Sequence, residues 1–163
     1  MPLFRTSSAV VAREGHPLAD CRTLADLRDV QWILNWTLAN DPTQRGDVFS
    51  RYLQETAPPV HVAHSMVIAM SLLRHTDMLG LMPWPLVKAV ASREQLCVLP
   101  LAETLNESTV GLLSRRGTPF SAAARCFIDC FNAVIRRVLD SDDPARRRLF
   151  HSIDGLATGD AGR

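Results

Sequence analysis

Apolar positions along the chain follow two spacings, one typical of strands and one typical of helices. Short apolar runs predict strands over residues 4–12, 30–35, 60–64, 78–82, 96–99 and 109–113. Apolar residues that recur every three or four positions predict helices over 42–56, 66–73, 86–92 and 122–138, with shorter helical segments at 23–27 and 146–150. Strands that alternate with helices in this way predict an α/β fold with a largely parallel sheet.

Two of the predicted helices have different polar patterns. Residues 66–73 are apolar nearly all round, so we expect this helix to be buried on both sides. The last long helix begins after Ser121, a residue type that caps helix N-termini. It carries Phe127, Phe131 and Val134 on one stripe and mostly charged residues on the opposite side, which is a strong amphipathic signal.

Composition places the chain among globular proteins. Of its 163 residues, 47% are hydrophobic and 21% are charged, and the net charge of +1 offers no basic surface for nucleic acid. No apolar run approaches the roughly 20 residues that cross a bilayer, so we expect no membrane association. The N-terminus has no basic stretch followed by an apolar run, which predicts a cytoplasmic protein.

Cysteines and histidines are the candidate metal ligands. The four cysteines are Cys21, Cys97, Cys126 and Cys130. In a reducing compartment we expect free thiols in or near the core. Cys126 and Cys130 lie one helical turn apart and could share a metal, but no second close pair accompanies them, so we expect none. His61 and His64 should face opposite sides of a strand, one buried and one exposed, and His16 should only shape the turn at Pro17.

Sequence motifs of catalysis are absent. The chain has no Gly-x-Ser-x-Gly elbow, no phosphate loop and no motif with paired carboxylates, so we expect neither an enzyme nor a bound cofactor. The basic run at 146–148 could touch phosphate. A solvated helix face is the simpler interpretation, because the nearby Asp140, Asp142 and Asp143 partly neutralise the run.

The order of these signals resembles the effector-binding domain of LysR-type transcriptional regulators. Residues 12–19, reading Ala-Arg-Glu-Gly-His-Pro-Leu-Ala, resemble the hinge between the two lobes of that domain. Residues 24–34 resemble the opening of its second lobe, and Gly80-Leu81-Met82-Pro83 resembles the strand that follows an apolar helix. Residues 112–124 resemble its last strand and closing helix, although Ala122 stands where a proline is usual and residues 74–77 lack the usual glycines.

The resemblance, which covers about residues 3–139, implies a periplasmic-binding-protein-like fold. We expect residues 1–16 to form a crossover strand of the first lobe and residues 17–95 to form the second lobe. Residues 96–140 should form the return strand and the closing helix of the first lobe, and residues 141–163 should form a C-terminal tail. The sequence contains no winged helix-turn-helix and too few elements for a complete first lobe, so we expect a chain truncated at its N-terminus. In such a chain the closing helix would show its apolar stripe to solvent, so we expect instability or self-association.

The candidate ligand site follows from where helix starts meet strand ends. In open α/β sheets ligands bind beyond the carboxyl ends of the strands, and a helix N-terminus favours carboxylates. The candidate residues are Asn35, Trp36, Thr37, His64, Ser65 and Met66. Ser65 could donate its hydroxyl to an acid or could serve only as a cap. Trp36 could form an apolar wall for a ring-bearing ligand or could pack as a half-buried residue.

The leading hypothesis is therefore a sensor domain that binds a small organic acid between its lobes and controls transcription. The resemblance implies a homo-oligomer, a dimer or a tetramer, that reaches DNA only through the missing N-terminal domain. The alternatives are a solute-binding protein of a transport system, which the lack of an export signal disfavours, and a small α/β enzyme.

Overall fold

The computed structural model describes residues 2–35, 59–103, 105, 107–115, 119–142 and 153–155. The chain divides into two compact units. The large unit is Ser7–Asn106, and the small unit combines Met1–Thr6 with Glu107–Arg163. The predicted second lobe, residues 17–95, falls inside the large unit, and its exact bounds stay a prediction. The predicted helices over 42–56 and 146–150 lie outside the described residues.

The large unit contains a mixed sheet. Its strands are β1 (Pro2–Arg13, from residue 7 onward), β2 (Trp32–Asn35), β3 (Val60–Ala63), β4 (Leu79–Pro83) and β5 (Leu96–Val98), in the order β3-β2-β4-β1-β5. The strand β2 runs parallel to β3 and β4, which confirms the predicted α/β class. The strand β1 is antiparallel to β4 and β5, so parallel pairing is confined to the neighbouring strands β3, β2 and β4.

Side chains of the large unit form two apolar clusters, one on each face of the sheet. Alternation along β1 shows this division, because Val10 and Ala12 enter one cluster while Ala9 and Val11 enter the other. The first cluster includes the 3₁₀-helix Leu24–Leu27. There the Asp26 carboxylate accepts hydrogen bonds from the backbone N–H and hydroxyl of Thr23, at 3.2 Å and 2.8 Å. The predicted helical segment at 23–27 is thereby confirmed.

Two helices, α1 (Met66–His75) and α2 (Trp84–Val90), supply the second cluster. Only one side of α1 is buried, and Val67 and Ile68 are 78% and 57% exposed. The expectation of burial on both sides is therefore wrong. A helix that covers one face of a sheet is an outer layer, so its far side meets solvent whatever its residues are.

Close packing between α1 and β4 depends on a glycine. A Cβ placed on Gly80 would lie 2.9 Å from Leu73 Cδ1 and 3.2 Å from Val11 Cγ2. At such distances a side chain would fit only if the ends of Leu73 and Val11 shifted away from it. Gly80 therefore lets α1 approach the sheet.

The small unit contains the start of β1, β6 (Glu107–Gly111), α3 (Ala122–Leu139) and β7 (Ile153–Gly155). The strand β7 pairs antiparallel with β1, Phe4 lying opposite Gly155, within the residues predicted to be a tail. A three-residue strand leaves too little pattern to be recognised in sequence. An ion pair joins Arg5 to Glu107 at 3.3 Å.

The helix α3 begins as predicted and leaves part of its apolar stripe exposed. The Ser121 hydroxyl caps it by accepting a hydrogen bond from the backbone N–H of Ala124 at 3.2 Å. Phe127 and Val134 are nevertheless 67% and 55% exposed, and Phe127 stacks on Phe131 with ring centroids 6.1 Å apart. Ile128, Ile135 and Val138 on the same stripe are half-buried. Among the described residues the stripe is thus partly open to solvent, in agreement with the expectation for this helix. No described helix is both long enough and apolar enough to span a membrane.

Candidate functional site

The carboxyl ends of β2 and β3 meet at one edge of the large unit's sheet. Asn35, the last residue of β2, lies opposite Ala63, the last residue of β3. His64, Ser65 and Met66 follow directly and lead into α1. The strand register thus brings four of the predicted ligand-binding residues to the same edge. Trp36 and Thr37 lie outside the described residues, and whether any of the six binds a ligand stays a prediction.

Ser65 occupies the N-cap position of α1 without acting as a side-chain cap. Its backbone is extended (φ −119°, ψ 129°), and its carbonyl accepts the first helical hydrogen bond, from Ala69 N at 3.0 Å. Its hydroxyl makes no capping hydrogen bond, and the first turn of α1 holds no acidic residue. Within the described residues, neither the Ser65 hydroxyl nor an acidic residue of the first turn thus caps these N–H groups, and the helix start offers its partial positive charge to an anion.

The residues on either side of Ser65 differ in burial. His64 is exposed, and so is His61, so the expectation of one buried and one exposed imidazole is wrong. Met66 is half-buried and packs against the cluster beneath α1. Met66 therefore has a structural role in holding the start of the helix to the sheet.

A cavity of about 430 Å³ lies at the amino ends of the parallel strands β2 and β4. It is lined by His16, Pro17, Leu18, Asp29, Val30, Gln31, Thr76, Asp77 and Met78. Gln31 precedes β2 and Met78 precedes β4, so the cavity opens at the amino edge of the parallel strands. The predicted ligand site is at the carboxyl edge, and this cavity is distinct from it.

His16 holds one wall of that cavity. The ring is buried, its Nδ1 accepts a hydrogen bond from the Leu18 N–H at 3.0 Å, and its Nε2 donates to the Asp77 carbonyl at 3.1 Å. The expectation that His16 only shapes the turn at Pro17 is therefore wrong. His16 ties the segment after β1 to the loop before β4, a contact across 61 residues that local sequence cannot reveal.

Arg13 reinforces this connection. Its Nε and Nη2 donate to Asp77 Oδ1 at 2.9 Å and 2.7 Å, and its Nη1 donates to the carbonyls of Glu14 and Gly15. Gly15 adopts a positive φ of 69°, a conformation that suits glycine in a tight turn. The segment predicted to resemble a hinge is thus firmly held within the large unit.

The cysteines do not form a metal site within the described part of the chain. No group of three or more His, Cys, Asp and Glu side chains is placed there to hold a metal. Burial raises the pKa of the Cys21 and Cys97 thiols, and the Cys97 thiol donates to the Arg13 carbonyl at 3.2 Å. Cys126 and Cys130 are exposed on α3, so the expectation of core thiols is wrong for these two.

The sheet is mixed and has helices on its face, and strand ends and a helix start form one of its edges. This is the architecture of periplasmic-binding-protein-like effector domains. The family model of the LysR substrate binding domain matches residues 1–136. The chain belongs to this family.

Known proteins similar to the chain agree with this assignment. The HTH-type transcriptional regulator GalR of Pseudomonas putida is 33% identical over 138 residues, which is 82% of this chain and 34% of that protein. The chain thus spans about a third of the length of this curated relative. The regulatory domain of CcmR from Synechocystis, in complex with 2-PG, has a TM-score of 0.63 and 18% identity over 82% of this chain and 65% of its own. The effector binding domain of QuiR, in complex with shikimate, has a TM-score of 0.61 and 22% identity over 84% and 65%.

Proposed function

We propose that the chain is the effector-sensing domain of a LysR-type transcriptional regulator and that it binds a small organic acid at the carboxyl edge of β2 and β3. The observation that carries this proposal is the Ser65 hydroxyl, which stands at the start of α1 without capping it. Asn35 ends the neighbouring strand at the same edge. A hydroxyl and unpaired helical N–H groups beside a strand end are suited to hold a carboxylate.

In this proposal the carboxylate accepts hydrogen bonds from the Ser65 hydroxyl and from the first backbone N–H groups of α1. Hydrogen bonds to a charged group are about twice as strong as neutral ones, so this contact supplies much of the affinity. We include Asn35, Trp36 and Thr37 in the proposed site because they stand at the end of β2 and directly after it in sequence. Trp36 is a residue type that suits a ring-bearing acid. Shikimate, the ligand in the QuiR complex, is a ring-bearing acid of this kind.

The binding event acts on transcription through a population shift. An effector that binds two arrangements of the regulator unequally changes the ratio between them by its difference in affinity. In this proposal the regulator is a cytoplasmic homo-oligomer, as is typical of the family. Its N-terminal domain binds DNA, and the shift between arrangements would alter how that domain binds the operator. The sensing domain is proposed to bind its effector without converting it, as is expected of a substrate binding domain of this family.

Isothermal titration calorimetry on the full chain tests the proposal, with shikimate as the first probe and a panel of small aromatic and hydroxy carboxylates after it. We expect at least one acid to bind, and Ser65→Ala to weaken it by roughly tenfold or more, since a hydrogen bond to a charged group contributes about 1.5–3 kcal/mol. Ser71→Ala is the matched control, because Ser71 is exposed on the same helix six residues further on. Equal binding by both variants, or preference for the amide of the acid over the acid itself, would contradict the proposed site.

A further inference from the structure

The helix α3 carries two cysteines that the sensor function does not use. Cys126 and Cys130 are both exposed, and they lie one turn apart in the unbroken helix Ala122–Leu139. Residues four apart in an α-helix have Cβ atoms about 5–6 Å apart on the same side. The two thiols therefore face solvent together, within reach of a single small ligand.

This spacing disfavours a direct bond between the two sulfurs. A disulfide requires Cβ atoms about 3.5–4.5 Å apart, closer than one helical turn allows. Cys126 and Cys130 can be oxidised to each other only if α3 unwinds locally. An atom that bonds to both sulfurs adds a second bond to the bridge and spans the wider gap without distorting the helix.

The chemistry of the pair narrows the class of that bridging atom. The neighbouring Cys126 thiol, and to a smaller extent Asp129, raise the pKa of Cys130 above its ordinary value. Within the described residues no third His, Cys, Asp or Glu joins the pair to complete a metal site. A suitable ligand therefore needs only two protein sulfurs, brings its own remaining substituent, and removes two thiol protons as it binds.

We propose that Cys126 and Cys130 form a dithiol site for monosubstituted trivalent arsenicals. With phenylarsine oxide the two S–H bonds and the bond between arsenic and oxygen break, two As–S bonds form, and the oxygen leaves with both protons as one water molecule. Arsenic stays trivalent throughout, so the step needs no oxidant or reductant. The phenyl group is the third substituent and can rest on the exposed apolar stripe of Phe127 and Val134.

Titration of the reduced full chain with phenylarsine oxide tests this inference, followed by mass spectrometry of the intact adduct and of its peptides. We expect one phenylarsenic group per chain, located on the peptide that contains both Cys126 and Cys130, and protection of both thiols from iodoacetamide. A 1,2-dithiol should displace it, whereas an equal concentration of a monothiol should not. Chelation by two tethered thiols should make Cys126→Ser and Cys130→Ser bind about 100-fold more weakly or worse.

The double variant Cys21→Ser/Cys97→Ser is the control and should bind as the natural chain does, because it keeps the pair on α3. Serine variants that retain full affinity, or an adduct mapped to Cys21 or Cys97, would overturn the inference. So would a Cys126–Cys130 disulfide formed by a mild oxidant with no loss of helicity in circular dichroism. Peptide mapping of the adduct on the chain without substitutions shows which cysteines bind arsenic, even where a serine variant fails to fold.

Discussion

The two units of this protein use apolar residues in different ways. In the large unit, both faces of the sheet are covered, and the buried hydrophobic residues among those described all lie between positions 9 and 105. In the small unit, α3 has the most regular amphipathic pattern in the sequence, yet Phe127, Phe131 and Val134 remain exposed. An amphipathic stripe thus shows that a helix can pack on one side, whereas burial requires a surface that meets it. We infer that the stability of this chain resides in the large unit.

The sharpest test compares a buried leucine with an exposed phenylalanine. Leu73→Ala removes a fully buried side chain from beneath α1 and should cost about 2–5 kcal/mol in the free energy of unfolding. Phe127→Ala removes a larger side chain that is mostly exposed and should cost no more than about 0.5 kcal/mol. Urea unfolding followed by circular dichroism measures both. Comparable losses of unfolding free energy in the two variants would show that both units contribute to stability, contrary to this comparison.

A smaller effect is expected where α1 meets β4. Gly80→Ala introduces a methyl group that overlaps Leu73 and Val11, and overpacking of this kind costs about 1–3 kcal/mol. In the double variant Leu73→Ala/Gly80→Ala the new methyl group occupies part of the space that Leu73 vacates. Its loss of stability should therefore be less than the sum of the two single losses. Strict additivity would show that Gly80 and Leu73 do not constrain each other.

The buried imidazole of His16 should matter less than the core leucine but measurably. His16→Ala leaves the Leu18 N–H and the Asp77 carbonyl without their partner, at a cost of about 1–3 kcal/mol. His16→Asn keeps an acceptor close to the position of Nδ1 and should recover part of that loss. Thermal unfolding measured by differential scanning calorimetry compares the two variants. An Asn variant no more stable than the Ala variant would mean that the bond to Leu18 contributes nothing.

The smallest expected effect is electrostatic and depends on pH. Hydrogen bonds from Thr23 hold the pKa of Asp26 below its ordinary value of 3.8. A carboxylate whose pKa is lowered by folding stabilises the fold above its ordinary pKa, and that contribution disappears as the pH falls through the lower folded value. Asp26→Asn should therefore lower the Tm slightly at pH 7, and the difference should shrink progressively as the pH falls below 3.8. A difference that persists in acid would assign it to lost packing instead.

Parts of this fold and site were accessible from sequence because they depend on neighbours in the chain. Alternating apolar runs located β1 to β6, and the Ser121 cap followed from residue type alone. The position of Ser65 at the start of α1 was equally local. What could not be predicted was whether its hydroxyl would cap the helix, because that choice depends on geometry finer than a residue pattern.

Other features required the folded chain. The sequence shows Gly80 as an ordinary strand residue, and only the packing of α1 against it explains the glycine. The sequence likewise shows His16 as a turn residue, and only the fold brings it to Asp77, 61 positions away. The short strand β7 exists only because β1 offers it hydrogen bonds.

The sequence by itself determined the alternation of strands and helices, the family to which the chain belongs, and the strand end and helix start where a ligand is proposed to bind. Only the tertiary structure decided which apolar faces are covered, which polar groups are paired across the sheet, and that two thiols on α3 stand open to solvent. The physical reason is range. Backbone preferences and periodicity act over a few residues, whereas burial depends on segments that are distant in sequence and meet only after folding.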